Sequence, residues 1–83
     1  MMDKLKVGMS IKNGSMKLTI IEFFEINNTN LALLLRHEDG MFITVRDLTF
    51  YNGEHIWWWG HYIPLLLDAC KDFNMRKKDL QSR

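Results

Sequence analysis

The sequence is short of cysteine, of proline and of long apolar runs. Cys70 is its single cysteine, so no disulfide can form within the chain and no metal site can be built from thiolates alone. The longest apolar stretches, 31–35 and 56–59, are shorter than the about 20 residues that cross a bilayer, and the first residues lack the apolar run of a signal peptide. These absences predict a soluble cytoplasmic protein in a reducing compartment, without membrane contact.

An excess of either charge is also missing. Eleven Lys and Arg side chains stand against ten Asp and Glu, for a net charge of +1. Proteins that bind a phosphate backbone usually carry a clearly basic face. The one local excess, at residues 76–78, complements the dipole at the end of a helix. The charge balance therefore weakens any nucleic-acid hypothesis.

What the sequence does have is apolar and aromatic content. The 83 residues are 47% hydrophobic and 12% aromatic, which is typical of a folded chain and predicts a single domain over 1–83. Alternation of apolar and polar residues predicts strands over 5–12, 16–26 and 41–48, and a nearly continuous apolar run predicts one over 31–36. The Asn52-Gly53 signal makes 49–51 and 55–62 the arms of a hairpin. Within the second strand the alternation breaks after Ile20, so either both of its sides are covered or a bulge shifts its register. Turns are predicted at Asn13-Gly14, 27–30, Asp39-Gly40 and Asn52-Gly53.

The period of the pattern changes at Pro64. Proline is favoured in the first turn of a helix, and the apolar residues after it form one stripe at helical spacing: Leu66, Ala69, Cys70 and Phe73. We predict a helix over 64–78, a frayed tail over 79–83 and a strand-rich part over 4–63. The fold class is therefore α+β, with an antiparallel meander of about five strands (β-β-β-β-β-α) packed on one C-terminal helix.

Three consecutive tryptophans stand out in the last predicted strand. Regular alternation would give Trp57 and Trp59 one side, together with His55 and His61, and would give Trp58 the other. We expect Trp58 in the core and Trp57 with Trp59 as an exposed ledge that contacts a protein or stacks on bases. The alternative is that the two outer indoles are structural and pack against the helix or an edge of the sheet.

No motif for catalysis or for metal binding accompanies this segment. His55 and His61 are six residues apart, without a third ligand at metal-site spacing. Cys70 lies on the apolar stripe, where a thiol behaves as a small hydrophobe. We therefore predict no enzyme, no catalytic residue, no metal and no cofactor.

Basic side chains on neighbouring predicted strands give the only argument for nucleic acid. Arg46 interrupts an apolar strand, and with Lys12, Lys17 and Arg36 it would form a basic strip beside the ledge. The alternative is a solvated sheet surface with cross-strand ion pairs.

Residues 41–46 (MFITVR), 59–63 (WGHYI) and 68–73 (DACKDF) carry a resemblance. They resemble small uncharacterised proteins of Gram-positive phages, plasmids and conjugative elements. The resemblance covers only the C-terminal part of the chain. It implies a genomic setting, in which inhibitors of host defence such as anti-CRISPR proteins occur, and no site.

These observations leave three functional hypotheses. The first is a non-enzymatic interaction protein of a mobile element or phage, which binds another protein through Trp57, Trp59, His55, His61 and Arg46; an anti-CRISPR-like inhibitor would be one case. The second is a single-stranded nucleic-acid binder that uses the same ledge and the basic strip. The third is a homodimer with a structural role.

Overall fold

The structure, a computed structural model, describes residues 4–82. Its strands form one antiparallel sheet in chain order, and a C-terminal helix packs on that sheet. The predicted α+β meander is confirmed. The elements are β1 Ser10–Asn13, β2 Met16–Ile26, β3 Thr29–Arg36, β4 Phe42–Tyr51, β5 Glu54–Ile63 and α1 Leu66–Gln81.

Two tight turns set the register of the long hairpins. Asn52 and Gly53, with φ of 52° and 83°, give the left-handed pair that the Asn-Gly signal predicts. Asn27 and Asn28, with φ of 50° and 64°, make a second such turn between β2 and β3. The predicted four-residue turn over 27–30 is therefore wrong, because two asparagines suffice and β3 already begins at Thr29.

The first strand is shorter than predicted. β1 begins at Ser10 and not at residue 5, because the chain bends at Gly8, where φ is 88°. Gly8 still donates its N–H to the Ile20 carbonyl at 2.7 Å, and the Met9 carbonyl accepts from the Ile20 N–H at 2.9 Å. The segment before β1 therefore continues alongside β2, and its apolar side chains Leu5 and Met9 pack against the core.

The helix is shifted relative to its prediction at both ends. α1 begins at Leu66, since Leu65 is still extended, and it ends at Gln81 instead of Lys78. Leu80 is buried two turns after Phe73, so it extends the apolar stripe and holds the last turn against the sheet. The prediction of a frayed tail is thus wrong for 79–81, and Arg83 lies outside the described residues. Within residues 4–82, no helix has the length and apolar content that membrane crossing requires.

The sheet has a packed core on each side. The inner core lies on the side away from α1 and is built from buried residues of β1 to β4: Ile11, Leu18, Ile20, Ala32, Leu34, Ile43, Val45 and Leu48. The helix-side core lies under α1 and contains Leu31, Leu33, Ala69, Phe73 and Leu80, with Cys70 half-buried beside it. Successive residues of β3 alternate between the two cores, which explains its nearly continuous apolar run.

The two cores also explain the broken alternation in β2. The register between β2 and β3 shifts between Ile20 and Glu22, so the strand contains a bulge. Ile20 belongs to the inner core, whereas Ile21 packs against the helix-side core. Both of the structural explanations offered for this stretch are therefore correct.

The sheet curls until its first strand meets its last. Asn13 donates from Nδ2 to the His55 carbonyl at 2.8 Å, and the Gly14 N–H donates to Glu54 Oε1 at 2.8 Å. These bonds join the β1–β2 turn to the start of β5. The curl closes the inner core without a helix, and half-buried Trp57 packs against that core from β5.

Candidate functional site

Two opposed bulges interrupt the pairing of β4 with β5. Thr44 pairs with His61 and Arg46 with Trp58, so β5 has one extra residue in this interval. Thr49 then pairs with Ile56, so β4 has the extra residue in the next interval. Trp59 and Asp47 lie at these positions with φ of 49° and 55°. Left-handed backbone costs a non-glycine residue about 1–2 kcal/mol, so other contacts must hold both bulges in place.

Side chains at the start of β3 hold the bulge in β4. Asn30 donates from Nδ2 to the Leu48 carbonyl at 2.9 Å and accepts the Leu48 N–H at Oδ1 at 2.8 Å. Thr29 donates from Oγ1 to Asp47 Oδ1 at 2.6 Å. One amide side chain thereby replaces the strand partner that the bulge removes from Leu48.

A helix residue holds the bulge in β5. Arg76 donates from Nη2 to the Trp59 carbonyl at 2.8 Å, and from Nη1 to the carbonyl and to Oγ1 of Thr44, each at 3.0 Å. The guanidinium therefore joins α1 to both strands at the irregular position. Burial lowers the pKa of Arg76; the charge of Asp72 raises it and the charge of Arg46 lowers it again.

The bulge at Trp59 changes which indoles are exposed. Trp57 is half-buried against the inner core, Trp58 is 55% exposed and Trp59 is 67% exposed. The predictions of a buried Trp58 and an exposed Trp57 are wrong, because the extra residue shifts the alternation by one. Of the three predicted indole environments, only the exposed position of Trp59 agrees with the structure.

Gly60 leaves space for the indole of Trp57, because it has no side chain. A Cβ atom at Gly60 would lie 3.2 Å from Nε1 of Trp57 and 3.3 Å from Cε1 of Tyr62. Glycine therefore lets the Trp57 indole lie close to the backbone of its own strand. This contact keeps one indole in the core, next to the two exposed ones.

The two histidines do not share a site. His61 lies on the helix side, with Nδ1 at 2.9 Å from Asp72 Oδ2, whereas His55 lies near β1. Burial lowers the pKa of His55, whose Nδ1 accepts a hydrogen bond from the Lys12 N–H at 3.4 Å. The prediction that His55 and His61 lie on the same side of β5 as the ledge is wrong, because the extra residue in β5 shifts the alternation between them. Among residues 4–82, no three His, Cys, Asp or Glu side chains are grouped so as to hold a metal ion.

A polar cluster between the sheet and the helix includes residues that sequence reasoning did not single out. Thr44 is fully buried and donates from Oγ1 to Asp72 Oδ2, which also contacts His61. Burial raises the pKa of Asp72, but the hydrogen bonds with Thr44 and His61 and the charges of His61 and Arg76 outweigh it, so the pKa lies below its usual value. The sequence did contain one signal for this cluster: Asp72 and Arg76 are four residues apart, so they lie on the same side of a helix.

Arg46 lies beside this cluster. It pairs with Leu31 on β3 and with Trp58 on β5, and its guanidinium lies 5.7 Å from the centre of the Trp59 ring. Its Nε is buried and has no hydrogen-bond acceptor anywhere in the described residues 4–82. The nearest carboxylate oxygen, Oδ2 of Asp47, is 3.9 Å away, which is too long for a hydrogen bond.

Arg46 also forms one wall of a groove of about 270 Å³ between α1 and the sheet. Leu31 and Leu80 contribute apolar lining, while Arg76, His61 and Asp72 contribute polar groups. The exposed side chain of Met75 also borders this groove, as does Asp79. This volume lies just below the about 300–1,000 Å³ of sites for drug-sized ligands, so the groove suits a smaller group, such as a side chain.

The basic strip predicted beside the ledge is divided. Lys12 pairs with Lys17, and Arg36 pairs with Leu18, at the end of β3 opposite to the Leu31–Arg46 pair. That end of β3 is about 17 Å away at 3.3 Å per residue. Arg36 is also held by Asp39, with Nη2 and Nε donating at 2.6 and 3.0 Å. The prediction of a continuous basic strip is therefore wrong. Of its four residues, Arg46 is the one whose guanidinium lies beside an exposed indole.

Comparison of the chain with protein-family models, with curated proteins and with solved structures found no match. The fold and the site define a small α+β protein whose distinctive surface combines two indoles with a guanidinium. Its function must be argued from that surface.

Proposed function

We propose that the chain is a non-enzymatic interaction protein that binds another protein through Trp58, Trp59 and Arg46, hereafter the indole–guanidinium surface. The observation that carries this proposal is the exposure of both indoles, 55% for Trp58 and 67% for Trp59, beside Arg46. Trp and Arg are the residues most enriched among those that dominate binding energy at protein interfaces.

The exposure of these indoles has an energetic cost, which supports a binding role. A small domain depends on aromatic burial, and an indole can bury roughly 150–250 Å². Here two of three tryptophans remain largely outside the core, and one of them, Trp59, has a left-handed backbone whose carbonyl Arg76 holds. Structure that sacrifices stability in this way is typical of a functional surface.

The partner is tested by recovery from a lysate of the organism that carries the gene. Trp58→Ala and Trp59→Ala should each reduce recovery of the same partner about 30-fold, which corresponds to 2 kcal/mol at a central interface residue. Tyr51→Ala is the matched control, since Tyr51 is a 68% exposed aromatic residue at the tip of the same hairpin. Equal recovery by wild type and both tryptophan variants would contradict the proposal.

Inhibition of a host-defence nuclease is one concrete case of this proposal. Its support is the resemblance of residues 41–46, 59–63 and 68–73 to small proteins of phages and conjugative elements. In that case the recovered partner is the nuclease or a subunit of its complex, and the wild-type chain lowers its activity in proportion to binding.

A specific contact favours single-stranded nucleic acid as the second candidate. The guanidinium of Arg46 lies over the Trp59 ring at 5.7 Å, and bases stack on both groups. The net charge of +1 opposes this candidate. Quenching of tryptophan fluorescence by a short oligothymidylate at low salt would support it, and unchanged fluorescence would remove it.

A further inference from the structure

Among the groups that line the groove, Arg46 has a buried hydrogen-bond donor without an acceptor in the described residues 4–82. A buried donor without an acceptor costs about 1–3 kcal/mol, and the exceptions in folded proteins usually have a functional explanation. Its Nε–H is such a donor, and 30% of the side chain remains exposed. The Nε–H itself is closed to an incoming group, so an acceptor from outside meets the exposed part of the Arg46 side chain.

Arg76, which can only donate hydrogen bonds, adds a second positive charge to the groove. Its hydrogen bonds go to neutral oxygens, the carbonyls of Thr44 and Trp59 and the Thr44 hydroxyl. The carboxylate of Asp72 is engaged by Thr44 and His61. Two guanidiniums thus line one groove: Arg46 lies 3.9 Å from the Asp47 carboxylate, and the hydrogen bonds of Arg76 go to neutral oxygens. An anion close to both would reduce their repulsion.

The shape of the groove limits what this anion can be. Leu31, Arg46 and Trp58 form one row across β3, β4 and β5, which leads from the buried side of the groove to the exposed indole. The groove holds only about 270 Å³, so it suits a group of side-chain size. Exposed Met75 borders the groove, and the exposed indoles of Trp58 and Trp59 adjoin its Arg46 wall.

We infer that this groove takes the carboxylate of an Asp or Glu side chain from the partner protein, with Arg46 as its main ligand and an apolar neighbour of that residue against Trp58 and Trp59. The inference rests on the proposed function and specifies the chemistry of the partner at the same surface. A carboxylate matches the planar fork of a guanidinium and forms two parallel hydrogen bonds with it.

A phosphate backbone fits this groove less well. Asp72 and Asp79 also border it, and a chain of phosphates would have to pass both carboxylate side chains. A single side-chain carboxylate needs only the guanidinium of Arg46. The observations therefore favour an acidic peptide over a nucleic acid.

Selection from a library of random dodecapeptides displayed on phage tests the inference. Peptides enriched on the wild-type chain should carry Asp or Glu next to an aliphatic or aromatic residue. Changing that acidic residue to its amide should weaken binding to wild type about 30-fold, and binding to Arg46→Gln less than about threefold, because the two groups are coupled. Arg46→Lys keeps the charge and loses the fork, so it should retain intermediate affinity.

Controls separate failure of the inference from failure of the proposed function. Lys12→Gln removes an exposed charge that does not line the groove, so this variant should bind as wild type does. Thermal unfolding should confirm that each variant is folded. Peptides that require Trp58 or Trp59 but show no coupling to Arg46 would overturn the inference alone. Peptides insensitive to both tryptophans would overturn the proposed function as well. Arg46-dependent binding of oligothymidylate, without such coupling in any peptide, would overturn the acidic-peptide assignment in favour of nucleic acid.

Discussion

The inner core and the helix-side core are built on the same sheet but differ in chemistry. The inner core is apolar throughout and is closed by the curl of the sheet and by segments next to β1. The helix-side core adjoins Thr44, the one buried polar residue within the part of the chain that the structure describes. Around Thr44 lie the charged groups of α1 and the groove.

This difference assigns different roles to the two sides: the inner core stabilises the sheet, and the helix side positions the proposed binding surface. The hydrophobic effect does not depend on the direction of contacts, so the inner core stabilises the sheet without fixing the geometry of any polar group. The helix side fixes geometry, because Arg76 and Asp72 have to meet Thr44, His61 and the Trp59 carbonyl at defined distances. The indole–guanidinium surface borders the helix side, where such precision is available.

The largest expected effect comes from comparing adjacent residues of β3. Leu34 belongs to the inner core and Leu33 to the helix-side core, and both are fully buried. Leu34→Ala and Leu33→Ala should each lower the free energy of unfolding by about 3 kcal/mol, through lost burial and a residual cavity. Urea unfolding at neutral pH measures both.

Val7→Ala is the control for this pair, because Val7 is an exposed aliphatic side chain near β1. It should change the free energy of unfolding by less than about 0.5 kcal/mol. A loss below about 1 kcal/mol for Leu34→Ala, beside the full loss for Leu33→Ala, would mean that the inner side is not a packed core.

An intermediate effect is expected at Asp72 and should depend on pH. Asp72→Asn should lower the free energy of unfolding by about 1 kcal/mol at neutral pH, since hydrogen bonds to a partly exposed charged group are replaced by weaker ones. The folded-state pKa of Asp72 is lowered, so this contribution is present above the pKa of the unfolded chain, about 3.9. It should disappear as the pH falls through the folded-state value.

The measurement is urea unfolding of both proteins from neutral pH down to about pH 2, with the difference in unfolding free energy plotted against pH. Asp68→Asn serves as the matched control, because Asp68 is an exposed carboxylate on the same helix. A difference between wild type and Asp72→Asn that stays constant over this range would show that the carboxylate charge has no role in holding α1 to the sheet.

The fold was predictable because its signals are local. Alternating residues predicted the strands, Asn52-Gly53 predicted its turn, and the change of period after Pro64 predicted the helix. The error at the helix end arose because Leu80 follows a polar stretch, so its burial depends on the sheet beneath it.

The site was not predictable because its geometry depends on residues distant in the chain. Nothing within 57–59 marks a bulge, since all three residues are indoles with strong strand propensity. The opposed bulges are held by Asn30 on β3 and Arg76 on α1. A period-two pattern therefore assigned Trp57 and Trp58 to the wrong environments, and it gave His55 and His61 one side of the sheet that they do not share.

The smallest expected effect concerns Trp59, where a gain in stability offsets the losses. Its φ of 49° suits glycine better than any residue with a Cβ, so Trp59→Gly relieves about 1–2 kcal/mol of backbone strain. The variant also loses the contact with Arg46, worth about 0.5–1 kcal/mol at an exposed position. Glycine also costs about 0.5–1 kcal/mol of entropy in the unfolded chain, so we expect the free energy of unfolding to stay within about 0.5 kcal/mol of wild type.

Trp58→Gly is the matched control, because Trp58 is an exposed indole on the same strand without a left-handed backbone. It should lose about 0.5–1 kcal/mol, as glycine does within a strand. If both glycine variants lose stability equally, the backbone at Trp59 is not strained. A Trp59→Gly variant that is more stable than wild type but recovers less partner would show that the indole is retained for binding at the expense of stability.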